Sequence, residues 1–190
     1  MDQGAGESVQ FVIDTRASQF TVQAFAEGLL SGVAHSPKIA IREWSGEVRF
    51  TPQSLRDASL TVRIKLGSLQ VLDEMRDSDR REIHRVMFRE VLNIDTYPDV
   101  AFDSYEITSE KQNDTLFRVK VNGKLSLHGV SADHSFNALV AFGVDSFRAY
   151  GEFLLMQPAY EIPVANIASG TLRLRDELKL SFYVVAKKRE

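Results

Sequence analysis

The chain has 190 residues, 44% of them hydrophobic and 26% charged, with a net charge of -3. That mix suits one globular domain with a sizeable core and argues against a protein held to nucleic acid by phosphate contacts. There is no cysteine, which excludes disulfides and thiolate metal sites.

In chain order, the N-terminus "MDQGAGESVQ" has neither a positive n-region nor an apolar h-region, so it does not read as a signal peptide. Residues 1–8 are expected to be a flexible N-terminus and residues 9–190 a single domain. No stretch has the run of apolar residues needed to span a bilayer. The expected location is cytoplasmic for the chain as given, and periplasmic if a leader was removed.

Period-2 alternation, the signature of half-buried strands, begins with Phe20, Val22 and Ala24 and returns in Val48 and Phe50. Between them lies the glycine-punctuated "GLLSGVAHSPKI", Gly28 to Ile39, which holds His35. In "SLTVRIKLGSL", Leu60, Val62, Ile64 and Leu66 share one face. The segment "MRDSDRREIHRVMFREVL" changes period. Ile83, Met87 and Val91, with Val86 alongside, form one face of a helix. Asp79 followed by Glu82 resembles a capping box, and Pro98 stops the helix from continuing. Alternation resumes at Val100/Phe102 and Phe117/Val119/Val121, separated by the polar "EKQND". Asn113-Asp114-Thr115 fits a glycosylation pattern but reads as a hairpin turn, and Asn122-Gly123 reads as a turn or bulge. "HGVSAD" reads as a turn flanked by His128 and His134. Phe136, Ala138, Val140, Phe142 and Val144 then share a face, as do Leu178, Leu180, Phe182 and Val184.

The outline is mainly β: about eight antiparallel strands with one helix in the middle of the chain, in a sandwich or barrel. A barrel of about eight strands is either just filled by its side chains or just wide enough for one ligand. An interior lined by Phe20, Val22, Val62, Ile64, Phe102, Val119, Phe136, Val140 and Phe182 fits either case.

Motifs for chemistry are sparse. His35, His84, His128 and His134 form no close pair of metal-ligand spacing and read as separate surface or rim residues, so no metal site is expected. There is no G-x-S-x-G elbow and no phosphate loop. Arg81, Arg85 and Arg89, with Arg76 and Arg80 nearby, read either as an anion-binding edge or as a solvated face balanced by Asp77, Asp79, Glu82 and Glu90. The second reading is preferred. No catalytic residue is assigned and no cofactor is expected beyond a bound lipid.

The ordered segments resemble the YceI-like family, the polyisoprenoid-binding, lipocalin-like proteins. "FVIDTRASQFTVQ" is similar to its aromatic-x-Ile-Asp start, and "WSGEVRFTPQSLRDASLTVRIKLGSL" to its F-S-G-x-apolar-x-F segment. "VLNIDTYPDVAFDS" resembles D-V-x-x-Y-P-x-I-x-F-x-S, and "FRVKVNGKLSLHGVSADHSF" resembles Y-x-V-x-G-x-L-T-I-x-G-V-T-x-x-V. "GTLRLRDELKLSFYVVAKK" resembles the last strands. The chain also looks like a subgroup with A-G-L-x-S-x-x-A-H-x-H, except that Pro37 stands where the second histidine falls.

The resemblance implies an extended antiparallel lipocalin-like β-barrel capped by the helix, a tunnel for an isoprenoid chain such as a quinone or polyprenyl compound, and a homodimer. The expected function is to bind that lipid as carrier, store or sensor, without catalysis. Leu29, Val33 and Met87 join the expected lining, and His35, Arg76 and Tyr160 are the candidate rim residues. The alternatives are an enzyme acting on a lipid-like substrate and a filled-barrel, stress-associated protein without ligand.

Overall fold

A computed structural model describes residues 8–27, 36–51, 57–164, 166–167 and 172–189. Among these residues twelve strand segments form one antiparallel sheet: β1 Val9–Ile13, β2 Gln19–Glu27, β3 Lys38–Ile41, β4 Trp44–Phe50, β5 Ser59–Lys65, β6 Leu69–Val71, β7 Asp99–Lys111, β8 Leu116–Leu127, β9 Val130–Phe142, β10 Ser146–Met156, β11 Asn166–Ile167 and β12 Leu172–Lys188. Neighbouring strands follow the order β1-β4-β5-β7-β8-β9-β10-β12, and β12 pairs back onto β1. The result is a closed eight-stranded barrel, which removes the exposed strand edges of an open sheet.

Three of its walls are interrupted strands. β1 and β2 lie in turn along β12, with Ile13 opposite Ala186 and Gln19 opposite Tyr183. β4 and β3 continue the next wall, and β5 and β6 the one after. The backbone groups released at these breaks are satisfied locally, as buried peptide groups require. Ser18 Oγ donates to the Asp14 carbonyl at 2.6 Å and accepts from Val185 N at 2.9 Å. Glu43 N donates to Ser68 Oγ at 2.8 Å, Lys65 N to Glu43 O at 2.9 Å, and Leu66 N to Pro98 O at 2.9 Å.

The helix α1 runs Asp77–Arg85 and continues as a π-helical turn through Val91. Asn93, in the left-handed region at φ 44°, follows its end. Its apolar face is the expected one: Val86, Met87 and Val91 are buried with Leu66, Leu69, Leu125, Leu127 and Leu155, and Ile83 packs against them. The capping box does not form. The N-cap is Arg76, without a side-chain cap bond, Asp79 pairs with Arg76, and Glu82 pairs with Arg85. Arginine at the cap position leaves Asp79 one turn too far along to bond the first free amides. The helix is instead tied to the barrel by Arg80, which donates to Val71 O at 2.7 Å and Asp73 O at 2.9 Å. Arg80→Met should cost about 1 kcal/mol and raise amide exchange across residues 77–91 above that of β8 and β9.

Other expectations change at the strand ends. The turn after β8 is only His128-Gly129, both at positive φ, the geometry favoured in two-residue hairpins. His134 therefore lies within β9, not beside a turn. Val144 falls past the end of β9 in the next turn, 95% exposed, and does not share the inward face. Asn122-Gly123 is mid-strand, and the irregularity sits opposite it, where Tyr105 bulges out of β7 between Ser104 and Glu106. The Asn113 region is a turn: Asn113 Oδ1 accepts from Thr115 N and Leu116 N at 3.0 Å each.

Candidate functional site: an apolar cavity in the barrel

The barrel interior is not filled. It holds a cavity of about 330 Å³, within the range of roughly 300–1,000 Å³ typical of ligand sites. Phe20, Val22, Val62, Ile64, Val119, Phe136 and Phe182 all line it and are only half-buried, because their inner surfaces border the void. Met87, Phe102 and Val140 line it from fully buried positions. These are ten of the expected lining residues. Leu29, Val33 and His35 lie outside the described residues. Arg76 is exposed at the start of α1, away from the lining. Tyr160 is buried to 3% exposure in the larger core cluster, with its hydroxyl pKa raised by desolvation, and it is not among the residues lining the cavity.

Two aromatic groups shape the cavity. Near one end Phe11 stacks on Phe50 at 5.3 Å, and Phe142 meets Phe50 at 5.4 Å, Phe117 at 5.5 Å and Phe147 at 5.8 Å. With Ala149, Val184 and the fully covered Ala186, most of these rings form a second core cluster. The other group crosses the waist: Trp44 to Phe20 at 5.7 Å, Phe20 to Phe182 at 6.4 Å, Phe182 to Phe136 at 5.7 Å, and Phe136 to Phe102 and Phe153 at 5.5 and 5.3 Å. The mostly edge-on or tilted contacts are the favoured ring geometry. The helix cluster of Val86, Met87 and Val91 faces the cavity from the opposite end to Phe50 and Phe147.

Polar groups in the lining are few. Glu82 is engaged by Arg85, whose two donors span Glu82 and Glu90 at 2.8 and 2.6 Å. That pairing holds the Glu82 carboxyl below the usual carboxylate range. Of the arginines on and beside the helix, Arg85 pairs with Glu82 and Glu90, Arg76 pairs with Asp79, and Arg80 bonds backbone carbonyls. Gln157 is buried and donates from Nε2 to Arg175 O at 3.0 Å. Ser109 contributes a hydroxyl from β7. His134 packs edge-on against Phe153 at 5.0 Å, and its Nε2 is buried with no hydrogen-bond partner. Among the described residues no Lys or Arg lines the cavity, and no three His, Asp or Glu side chains converge to hold a metal. No helix among those residues is long and apolar enough to cross a membrane.

Sequence reasoning passed over His134, although the signal was present. The inward phase of β9, Phe136-Ala138-Val140-Phe142, extends back by two residues to His134. The pattern G-V-T-x-x-V also ends in valine where this chain has that histidine. Desolvation holds the ring's pKa below its ordinary 6.5, so the folded protein binds this proton less readily than the unfolded chain. Above about pH 7 both states are neutral there. As pH falls through 6.5 the unfolded state takes up a proton that the folded state refuses, and stability drops until the folded pKa is passed. His134→Leu should remove that part of the acid destabilisation, read as a flatter dependence of the urea midpoint on pH between about 7 and 5.

A profile of the YceI-like domain matches residues 7–186. The chain belongs to the YceI-like family. No curated protein matches its sequence. Among solved structures, the YceI-like barrel is similar to Burkholderia cenocepacia BcnA, with a TM-score of 0.72 and 18% identity over 92% of this chain and 99% of that one. It is also similar to a polyisoprenoid binding domain from Saccharophagus degradans implicated in plant cell wall breakdown, with a TM-score of 0.64 and 13% identity over 94% and 98% of the two chains. The Campylobacter jejuni YceI protein gives a TM-score of 0.62 at 19% identity over 83% and 88%. At these identities the likeness is one of fold.

Proposed function

We propose that this YceI-like protein binds a long apolar, isoprenoid-type lipid, a quinone or polyprenyl compound, inside the barrel. It then serves as a carrier, store or sensor rather than as an enzyme. The observation that carries this reading is the unfilled apolar cavity of about 330 Å³, whose inward Phe20, Val62, Val119 and Phe136 keep accessible surface that a folded core would otherwise cover. Each methylene transferred there from water contributes roughly 0.8 kcal/mol, so a chain of modest length binds without any charged contact. The description of the Saccharophagus relative as a polyisoprenoid binding domain points the same way.

Protein purified from its own host and examined by native mass spectrometry, with the organic extract analysed in parallel, should carry one apolar lipid class at near-stoichiometric amounts. Protein that arrives empty, and whose Trp44 fluorescence does not respond to added geranylgeraniol, would defeat the proposal. Trp44 is the chain's one tryptophan and lines the cavity, so it reports directly on filling.

A further inference from the structure

Nearly all of the cavity wall is apolar, yet β9 places an imidazole in it. His134 Nε2 is buried without a hydrogen-bond partner, and an unmade bond at a buried polar atom is costly. Glu82 and Gln157, polar side chains elsewhere in the lining, do not relieve it: Glu82 is held by Arg85 and Gln157 Nε2 by Arg175 O. Asp133, adjacent in sequence, pairs with Lys124. The ring that meets His134 is Phe153, which also borders the void. A shift of that ring into the void exposes Nε2 to whatever occupies the cavity. The absence of Lys and Arg from the described lining selects against an anionic group there, because a buried charge without a partner is strongly disfavoured.

We propose that the bound molecule carries an uncharged oxygen, a carbonyl or hydroxyl, within the barrel, and that His134 Nε2 is its hydrogen-bond partner. This rests on the lipid-binding reading and sharpens it: the polar group of the ligand sits at the waist beside Phe153 and Phe136, not in solvent, and it is not a phosphate. A neutral imidazole suits both oxygen types, donating from Nε2 to a carbonyl or exchanging a bond with a hydroxyl. Ser109 is the competing anchor.

The test uses delipidated full-length protein, Trp44 fluorescence, and three probes with the same isoprenoid chain: geranylgeraniol, the corresponding hydrocarbon, and geranylgeranyl diphosphate. Wild-type protein should bind the alcohol about tenfold more tightly than the hydrocarbon, equivalent to roughly 1.4 kcal/mol, and the diphosphate least. His134→Leu should erase the preference, so that alcohol and hydrocarbon bind the variant equally. His134→Gln should keep part of it, and Ser109→Ala all of it. In wild-type protein the ¹⁵N resonance of His134 Nε2 should move on adding the alcohol and stay still with the hydrocarbon. This readout stands even if the leucine variant folds poorly. A preference that survives in His134→Leu, one that vanishes in Ser109→Ala, an unmoved Nε2 resonance, or tightest binding of the diphosphate overturns the assignment. If neither alcohol nor hydrocarbon binds, the lipid-binding reading fails and the role of His134 fails with it. Hydrocarbon binding without oxygen preference sinks the histidine alone.

Discussion

Gly123→Val should destabilise the protein by about 3 kcal/mol, seen as a lower urea midpoint with an unchanged slope, whereas Gly67→Ala should move it by less than about 0.5 kcal/mol. The two glycines differ in what a side chain meets. A Cβ at Gly123 falls 2.7 Å from the Asp103 carbonyl and clashes with Phe102 Cζ. The carbonyl is backbone in the paired strand β7, two residues before the bulge at Tyr105, and cannot step aside without loosening that ladder. Phe102 is part of the aromatic waist through its contact with Phe136 at 5.5 Å, so displacing it disturbs the cavity wall as well. At Gly67, in the short turn between β5 and β6, nothing lies within 4 Å of an added Cβ. Equal costs at the two positions would mean that the close approach of β7 and β8 is not what Gly123 serves.

The alternation in β5, β9 and β12 carried most of the fold. Leu60, Val62 and Ile64, Phe136, Ala138 and Val140, and Leu178, Leu180, Phe182 and Val184 all face the cavity as phased, because a strand has only two faces and one of them is wet. The helix face of Ile83, Val86, Met87 and Val91 was readable for the same reason at a different period. Other features depend on partners distant in sequence. Each break in the three interrupted walls is held by bonds such as Ser18 to Val185 or Leu66 to Pro98, and no local pattern announces them. Tyr160 looked like a polar rim group by type, but it is buried, and its carbonyl accepts at most a weak contact from His128 Nδ1 at 3.3 Å. Whether the barrel is hollow was undecidable from periodicity, since that depends on how side-chain volumes from eight walls sum at one level. Histidine at 134 reads as a surface residue by type, although the phase of its strand points inward.

Hollowness is therefore the property to attack directly. Val62→Trp should leave stability within about 1 kcal/mol of wild type while lowering affinity for geranylgeraniol by roughly two orders of magnitude. Val62 sits in β5 between Gly46 of β4 and Phe102 of β7, lines the cavity and is only half-buried. An indole there projects into the void rather than into a packed neighbour, so the usual overpacking penalty is largely avoided. What it displaces is ligand. Excluding about four methylenes at roughly 0.8 kcal/mol each removes about 3 kcal/mol of binding, or a little over a hundredfold in Kd. The contrast with Gly123→Val is the informative part: one substitution adds volume where the walls touch, the other where they do not. If Val62→Trp unfolds the protein as Gly123→Val does, the barrel is filled in solution and the alternative of a solid barrel without ligand gains. If it folds and binds as wild type, the lipid lies outside the barrel.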